Sequence, residues 1–164
     1  MKKILFTILL SLLLVPVSMA GPKKGVKVYV ALSPAGSFEI NARPKGKVKV
    51  KGDQISASKI TVSVKRFKTG LDLRDEHTVK KMEPKKFPKV LVTNIKGKAG
   101  MGKAFIVIKG VKKKISFTYK KLSEKYYRAT FKLHLKEFNF SGLKYMGVGV
   151  KDEVKIVATL PVER

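Results

Sequence analysis

Within Phe67–Pro88, FKTGLDLRDEHTVKKMEPKKFP, four consecutive side chains able to carry charge or exchange protons stand together: Arg74, Asp75, Glu76 and His77. An Asp near a His is raw material for a general base, and a His flanked by carboxylates for a metal site. Neither is completed. A triad needs a placed nucleophile, and a metal needs a third and fourth ligand. The one other histidine, His134, stands among Lys132 and Lys136, where a cation is repelled, and there is no cysteine to serve as thiolate. No enzymatic activity, metal or cofactor is expected. The plainer expectation is that Asp75 (or Asp72) caps a helix and Arg74 pairs with a carboxylate or with carbonyls at a rim.

That helix is predicted near residues 72–83. Gly70 breaks the preceding strand, the carboxylates fall at the positive helix end, Lys80 and Lys81 at the negative end, and Pro84 stops it. Val79 and Met82, three apart, make one small apolar face. The rest of the chain alternates with period two. Val48 and Val50 alternate with lysines in Gly46–Gly52, and Ile60, Val62 and Val64 with Thr61, Ser63 and Lys65. Further on, Phe117 and Tyr119, then Tyr127, Phe131 and Leu133, then Ile156 occupy one face, with mainly Lys, Arg, Thr and Ser on the other. Antiparallel sheet with one wet side reads this way. Two runs, 90–95 and 104–108, are apolar on both faces and are expected to be covered outside by the helix or the termini.

The predicted fold is all-β, an antiparallel barrel of about eight strands with one short helix, since closure removes exposed edges. Residues 1–20 read as a secretory signal peptide. Lys2 and Lys3 precede an apolar run, and Ser18-Met19-Ala20 places small residues at a cleavage site. No cysteine stands there to take a lipid anchor. Residues 21–164 then form one domain, located in the periplasm or secreted. The formal charge of +26, of which the leader holds two lysines, invites an anionic partner. The lysines recur on every outward face and the aromatics on the inward one, so a base-stacking nucleic-acid surface is disfavoured. An anionic membrane surface remains a candidate partner.

Phe67-Lys68-Thr69-Gly70, then Arg74-Asp75 with His77, then Phe87-Pro88, resemble the YceI-like family of exported lipid-binding proteins. Ile106–Val111, Phe138-Asn139-Phe140 and Val148–Val154 continue the resemblance in order. The chain departs from the pattern at Val107 and Lys112, where Thr is usual, and at Val92, where an aromatic is common. The resemblance implies a lipocalin-like barrel holding a long isoprenoid or fatty-acyl chain, with no catalysis established for the fold. Its candidate lining is Ile60, Val62, Val64, Phe117, Tyr119, Tyr127, Phe131, Leu133 and Ile156, which also reads as a packed core. Lys68, Arg74, Lys80 and Lys81 are the candidates for an anionic or polar head. The rival reading is a cationic envelope- or membrane-surface-binding structural protein with a solid core and no internal ligand.

Overall fold

The computed structural model describes residues 21–145 and 147–163; the expected signal peptide lies outside the described residues. Alternation becomes a single antiparallel sheet. Its strands are β1 (Gly25–Ser33), β2 (Ser37–Ala42), β3 (Pro44–Lys45), β4 (Lys49–Lys51), β5 (Gln54–Ser63), β6 (Lys89–Lys98), β7 (Met101–Ile108), β8 (Val111–Ser123), β9 (Tyr126–His134), β10 (Lys144–Tyr145) and β11 (Val148–Pro161). They follow the order β2-β1-β11-β9-β8-β7-β6-β5-β3, with β4 on β5 and β10 on β11. Only Arg43 separates β2 from β3, so one bent strand pairs with β1 before the corner and with β5 after it. Counted so, eight strands make the circuit of a nearly closed barrel, and β4 and β10 are short additions.

Two backbone clasps complete the closure. Asn41 and Lys68 exchange N–H···O bonds of 2.6 and 2.9 Å. At the end of β11, Val48 donates to Pro161 and accepts from Glu163, at 2.9 and 2.8 Å. Val48 is fully buried beneath this clasp. Backbone groups that an open edge would leave to water are thus paired at the seam.

The helix α1 spans Asp72–Lys81. It stops two residues before the predicted end because Met82 closes the last turn and Glu83 adopts φ of 52°. Neither aspartate caps it as expected: the cap position is Leu71, without a side-chain bond. β5 also ends earlier than its alternation implies. Val64–Arg66 form a 3-10 turn, so Val64 leaves the strand and joins Ala42, Val62 and Phe67 in a small second core. Val79 and Met82 of the helical segment pack on that cluster. The helix therefore does not cover the outer faces of 90–95 and 104–108, where Leu91 and Val107 stay half-buried.

Glycines let the wall bend inward at one place. Gly97 and Gly102 are paired across β6 and β7. A Cβ at Gly102 would lie 2.3 Å from Phe117 Cζ, and one at Gly97 2.6 Å from Tyr119 Cε1. The two rings lie over bare backbone, an aromatic cover for glycine. At the other end of the chain, Asn139 takes φ of 60°, a left-handed conformation that Asn tolerates better than most residues, between buried Phe138 and Phe140.

Outward charge is not uniform, contrary to the sequence expectation. Strands β4–β8 carry twelve lysines and no acidic residue. On the opposite wall Lys27 pairs with Glu39, Lys132 with Glu153, and His134 lies 3.2 Å from Asp152. Acids are segregated, and lysines are not.

Candidate ligand-binding site

Inside the barrel is a cavity of about 190 Å³. Ile60, Val62, Phe117, Tyr119, Tyr127, Phe131, Leu133 and Ile156 all line it. Val64, the ninth candidate, does not, because the 3-10 turn carries it into the second core. Sequence reasoning missed several further lining residues, among them Ile40, Phe67, Met82, Ile95, Ile106 and Ile115. Ile106 and Ile115 were legible as inward positions of their strands. Phe67 and Met82 were not, since the connections that carry them have no period-two signal. Tyr119 keeps its ring inward while its hydroxyl donates to the Asp53 carbonyl at 2.7 Å, so the polar tip is satisfied away from the cavity. An interior lined by apolar side chains in this way is suited to hydrocarbon.

The segment around α1 closes one opening of the barrel and is tied down at both ends. At its start Asp75 is buried, and its Oδ1 accepts from Thr69 N–H at 2.5 Å and from Thr69 Oγ1 at 2.8 Å. Oδ2 faces Lys68 Nζ at 2.9 Å. Burial by itself pushes this carboxyl up; the Lys68 ammonium and the two Thr69 donors outweigh it and hold it below the ordinary range. Asp75 thus ties the helix to the strand exit, where capping had been expected. Arg74 sets its guanidinium 4.7 Å from the centre of the Phe38 ring on β2. At the far end Lys109, in the β7–β8 turn, bonds Glu83 at 2.7 Å and stands 4.8 Å from the Phe140 ring centre. The Lys109 bond holds the Glu83 carboxyl below its ordinary value. Phe87 packs against Gly110 of the same turn.

None of the four head-group candidates lines the cavity. Lys68 and Lys80 instead line a shallow outer groove of about 720 Å³ together with Lys65, Lys85 and Lys86 and the acids Asp75, Glu76 and Glu83. Lys81 is exposed on the helix end, and Arg74 is turned to Phe38. One residue, Phe67, borders both the inner cavity and the outer groove. His77 is exposed, and among the described residues no group of three or more His, Asp or Glu is placed to hold a metal.

The arrangement is shared by solved structures. BcnA of Burkholderia cenocepacia superposes with a TM-score of 0.66 at 19% identity, covering 84% of this chain and 96% of that one. A polyisoprenoid binding domain from Saccharophagus degradans, implicated in plant cell wall breakdown, gives 0.56 at 10% identity, over 83% and 91% of the two chains. The YceI protein of Campylobacter jejuni gives 0.52 at 16%, over 74% and 82%. At such identities the likeness speaks for the fold. A search of curated proteins finds no match. The model of the YceI-like domain matches residues 25–162, from the first strand of the barrel to the residue after its last, and the chain belongs to the YceI-like family.

Proposed function

We propose that this protein is an exported carrier that sequesters the apolar tail of a long-chain amphiphile, of polyisoprenoid or fatty-acyl type, inside the barrel. The observation that carries the reading is the apolar cavity bordered by Phe67, a residue that also borders an outer groove of five lysines and three acids. The tail enters past Phe67, and a polar or anionic head rests outside near Lys68 and Lys80. The driving force is burial, about 25 cal/mol for each Å² of apolar surface removed from water. The head contributes orientation more than energy, because exposed ammonium groups are well screened. The polyisoprenoid-binding neighbour from Saccharophagus degradans supports the ligand class.

Volume limits how much chain fits without movement. A dry cavity of about 150 Å³ takes one benzene. A space of about 190 Å³ therefore admits a short piece of chain, and a longer one needs the rings of Phe117, Tyr119, Tyr127 and Phe131 to swing aside. No catalytic step is assigned: His77 has no buried partner, and the interior supplies no acid or base.

The export part of this reading rests on the leader-like pattern of residues 1–20. N-terminal sequencing of the protein from its source should begin at Gly21, and material starting at Met1 in the cytoplasm overturns that part. The carrier reading is tested by organic extraction of purified protein with mass spectrometry, alongside uptake of a fluorescent isoprenoid or fatty-acid probe by delipidated protein. Neither extracted lipid nor probe uptake is the result that removes it, leaving the cationic structural protein as the better reading.

A further inference from the structure

We propose that the outer face of strands β4–β8 is a second binding site, for a linear polyanion whose closely spaced phosphate groups seat between lysine rows. The strand register builds two such rows on one face. The first runs Lys49, Ser56, Lys96, Lys103, Ser116, each directly opposite the next. The second runs Lys51, Gln54, Lys98, Met101, Thr118, Thr130. Together with Lys114 they line an open trough of about 1160 Å³.

All but one of the lysines in this trough are left without a carboxylate partner among the described residues. Glu163 reaches Lys49 at 3.8 Å; among the described residues no carboxylate lies within 4.0 Å of Lys51, Lys96, Lys98, Lys103 or Lys114. Lys96 and Lys103 stand directly across from each other, a like-charge pair that weakens a sheet. An anion bound between them reverses the sign of that interaction. The contrast with the β1, β2, β9 and β11 wall is specific, because there Glu39 and Glu153 already neutralise neighbouring lysines.

Spacing and floor chemistry point to phosphate on a flexible chain. Neighbouring strands lie about 4.8 Å apart and successive same-face residues about 7 Å apart. Ammonium groups therefore repeat about every 5–7 Å, an array that several phosphates of one flexible chain meet at once. Between them Ser56, Ser116 and Thr118 are exposed and Thr130 half-buried, hydroxyl donors suited to an anion with several acceptor oxygens. Lysine serves such groups as a point charge without the planar fork of arginine, so a mobile chain is accommodated in many registers. A flat lipid surface fits poorly, because the trough is recessed and would meet it only at the rim. Nucleobases lack an exposed platform: of the two aromatic rings bordering the trough, Phe117 is buried against the inner cavity, and Phe105 has Lys112 Nζ 4.7 Å from its centre.

The inference stands independently of the interior ligand and is tested on the full mature protein. Binding of end-labelled inorganic polyphosphate is measured across a salt series for wild type, for Lys96→Ser/Lys98→Ser/Lys103→Ser, and for a control of equal charge, Lys27→Ser/Lys132→Ser/Lys155→Ser. The trough variant should lose tenfold or more in affinity at physiological salt, with a logarithmic salt slope shallower by about 2. The control should lose less than threefold. Thermal midpoint verifies folding, and the trough variant should match or exceed wild type because the Lys96/Lys103 repulsion is gone; Lys103→Gln alone should give an intermediate loss. Equal losses in both triple variants mean general attraction to a basic protein and overturn the site. Vesicles containing anionic lipid provide the last arm. If they bind more tightly than polyphosphate at equal phosphate, and with the same dependence on the trough lysines, the partner is a lipid surface and the chain assignment fails.

Discussion

Asp75 and Asn139 show how single side chains hold this fold in place. Asp75 satisfies a backbone N–H, a hydroxyl and an ammonium while itself buried. Asp75→Asn should cost about 1–3 kcal/mol in denaturant unfolding, since it strands donors at a buried site. Its pH dependence has a definite sign. The folded carboxyl titrates below its unfolded value of about 3.9, so its contribution is complete above that pH and is lost as pH falls through the folded value. The stability gap between wild type and Asp75→Asn should therefore narrow on acidification below about pH 4. Asn139 holds a left-handed backbone, and Asn139→Val should destabilise by about 1–2 kcal/mol while Asn139→Gly is tolerated.

Elements decide how the interior is reached and how much room it has. Strands β6 and β7 place Gly97 and Gly102 beneath the rings of Tyr119 and Phe117. Gly102→Ala should push the Phe117 ring toward the cavity and cost about 1–3 kcal/mol by overpacking, with reduced uptake of a lipid probe. The helical segment contributes Phe67, the single residue shared by cavity and groove. Phe67→Leu should speed probe association in stopped-flow fluorescence more than it changes equilibrium loading. An unchanged rate places the route for the ligand elsewhere on the barrel.

For the whole molecule the decisive contrast is between a wall and a solid core. Phe131 lines the cavity and is only half-buried. In a solid core Phe→Ala costs about 3–5 kcal/mol. Phe131→Ala in delipidated protein should cost less, because a ring facing empty space has already forfeited contacts on that side. Leu133→Trp should cut probe capacity with a smaller effect on unfolding than overpacking of a filled core would have. A full solid-core cost at Phe131, with no probe uptake by wild type, contradicts the carrier. Charge acts at the same scale: binding to anionic vesicles should fall steeply between low and physiological salt, since exposed charges are screened over about 8–10 Å.

Local pattern carried the barrel, its approximate strand number, the single helix and a lining set of which eight of nine members border the cavity, because strand pleat and burial impose period two on neighbouring residues. The ordered motifs from Phe67 to Val154 carried the family for the same reason, each being a short segment with its own turn chemistry. Val64 was misplaced because the apolar alternation of Ile60, Val62 and Val64 runs on without a local stop signal, and packing on Ala42 and Phe67 sets the 3-10 turn there. The partners of Asp75, the lysines that stay outside the cavity, and the cavity volume depended on contacts between distant segments. Most plainly, the lysine trough joins Lys49 to Lys96 and Lys103, residues far apart in the chain, through strand register alone. Composition counted those lysines; only the closed sheet set them side by side and left their carboxylate partners on the other wall.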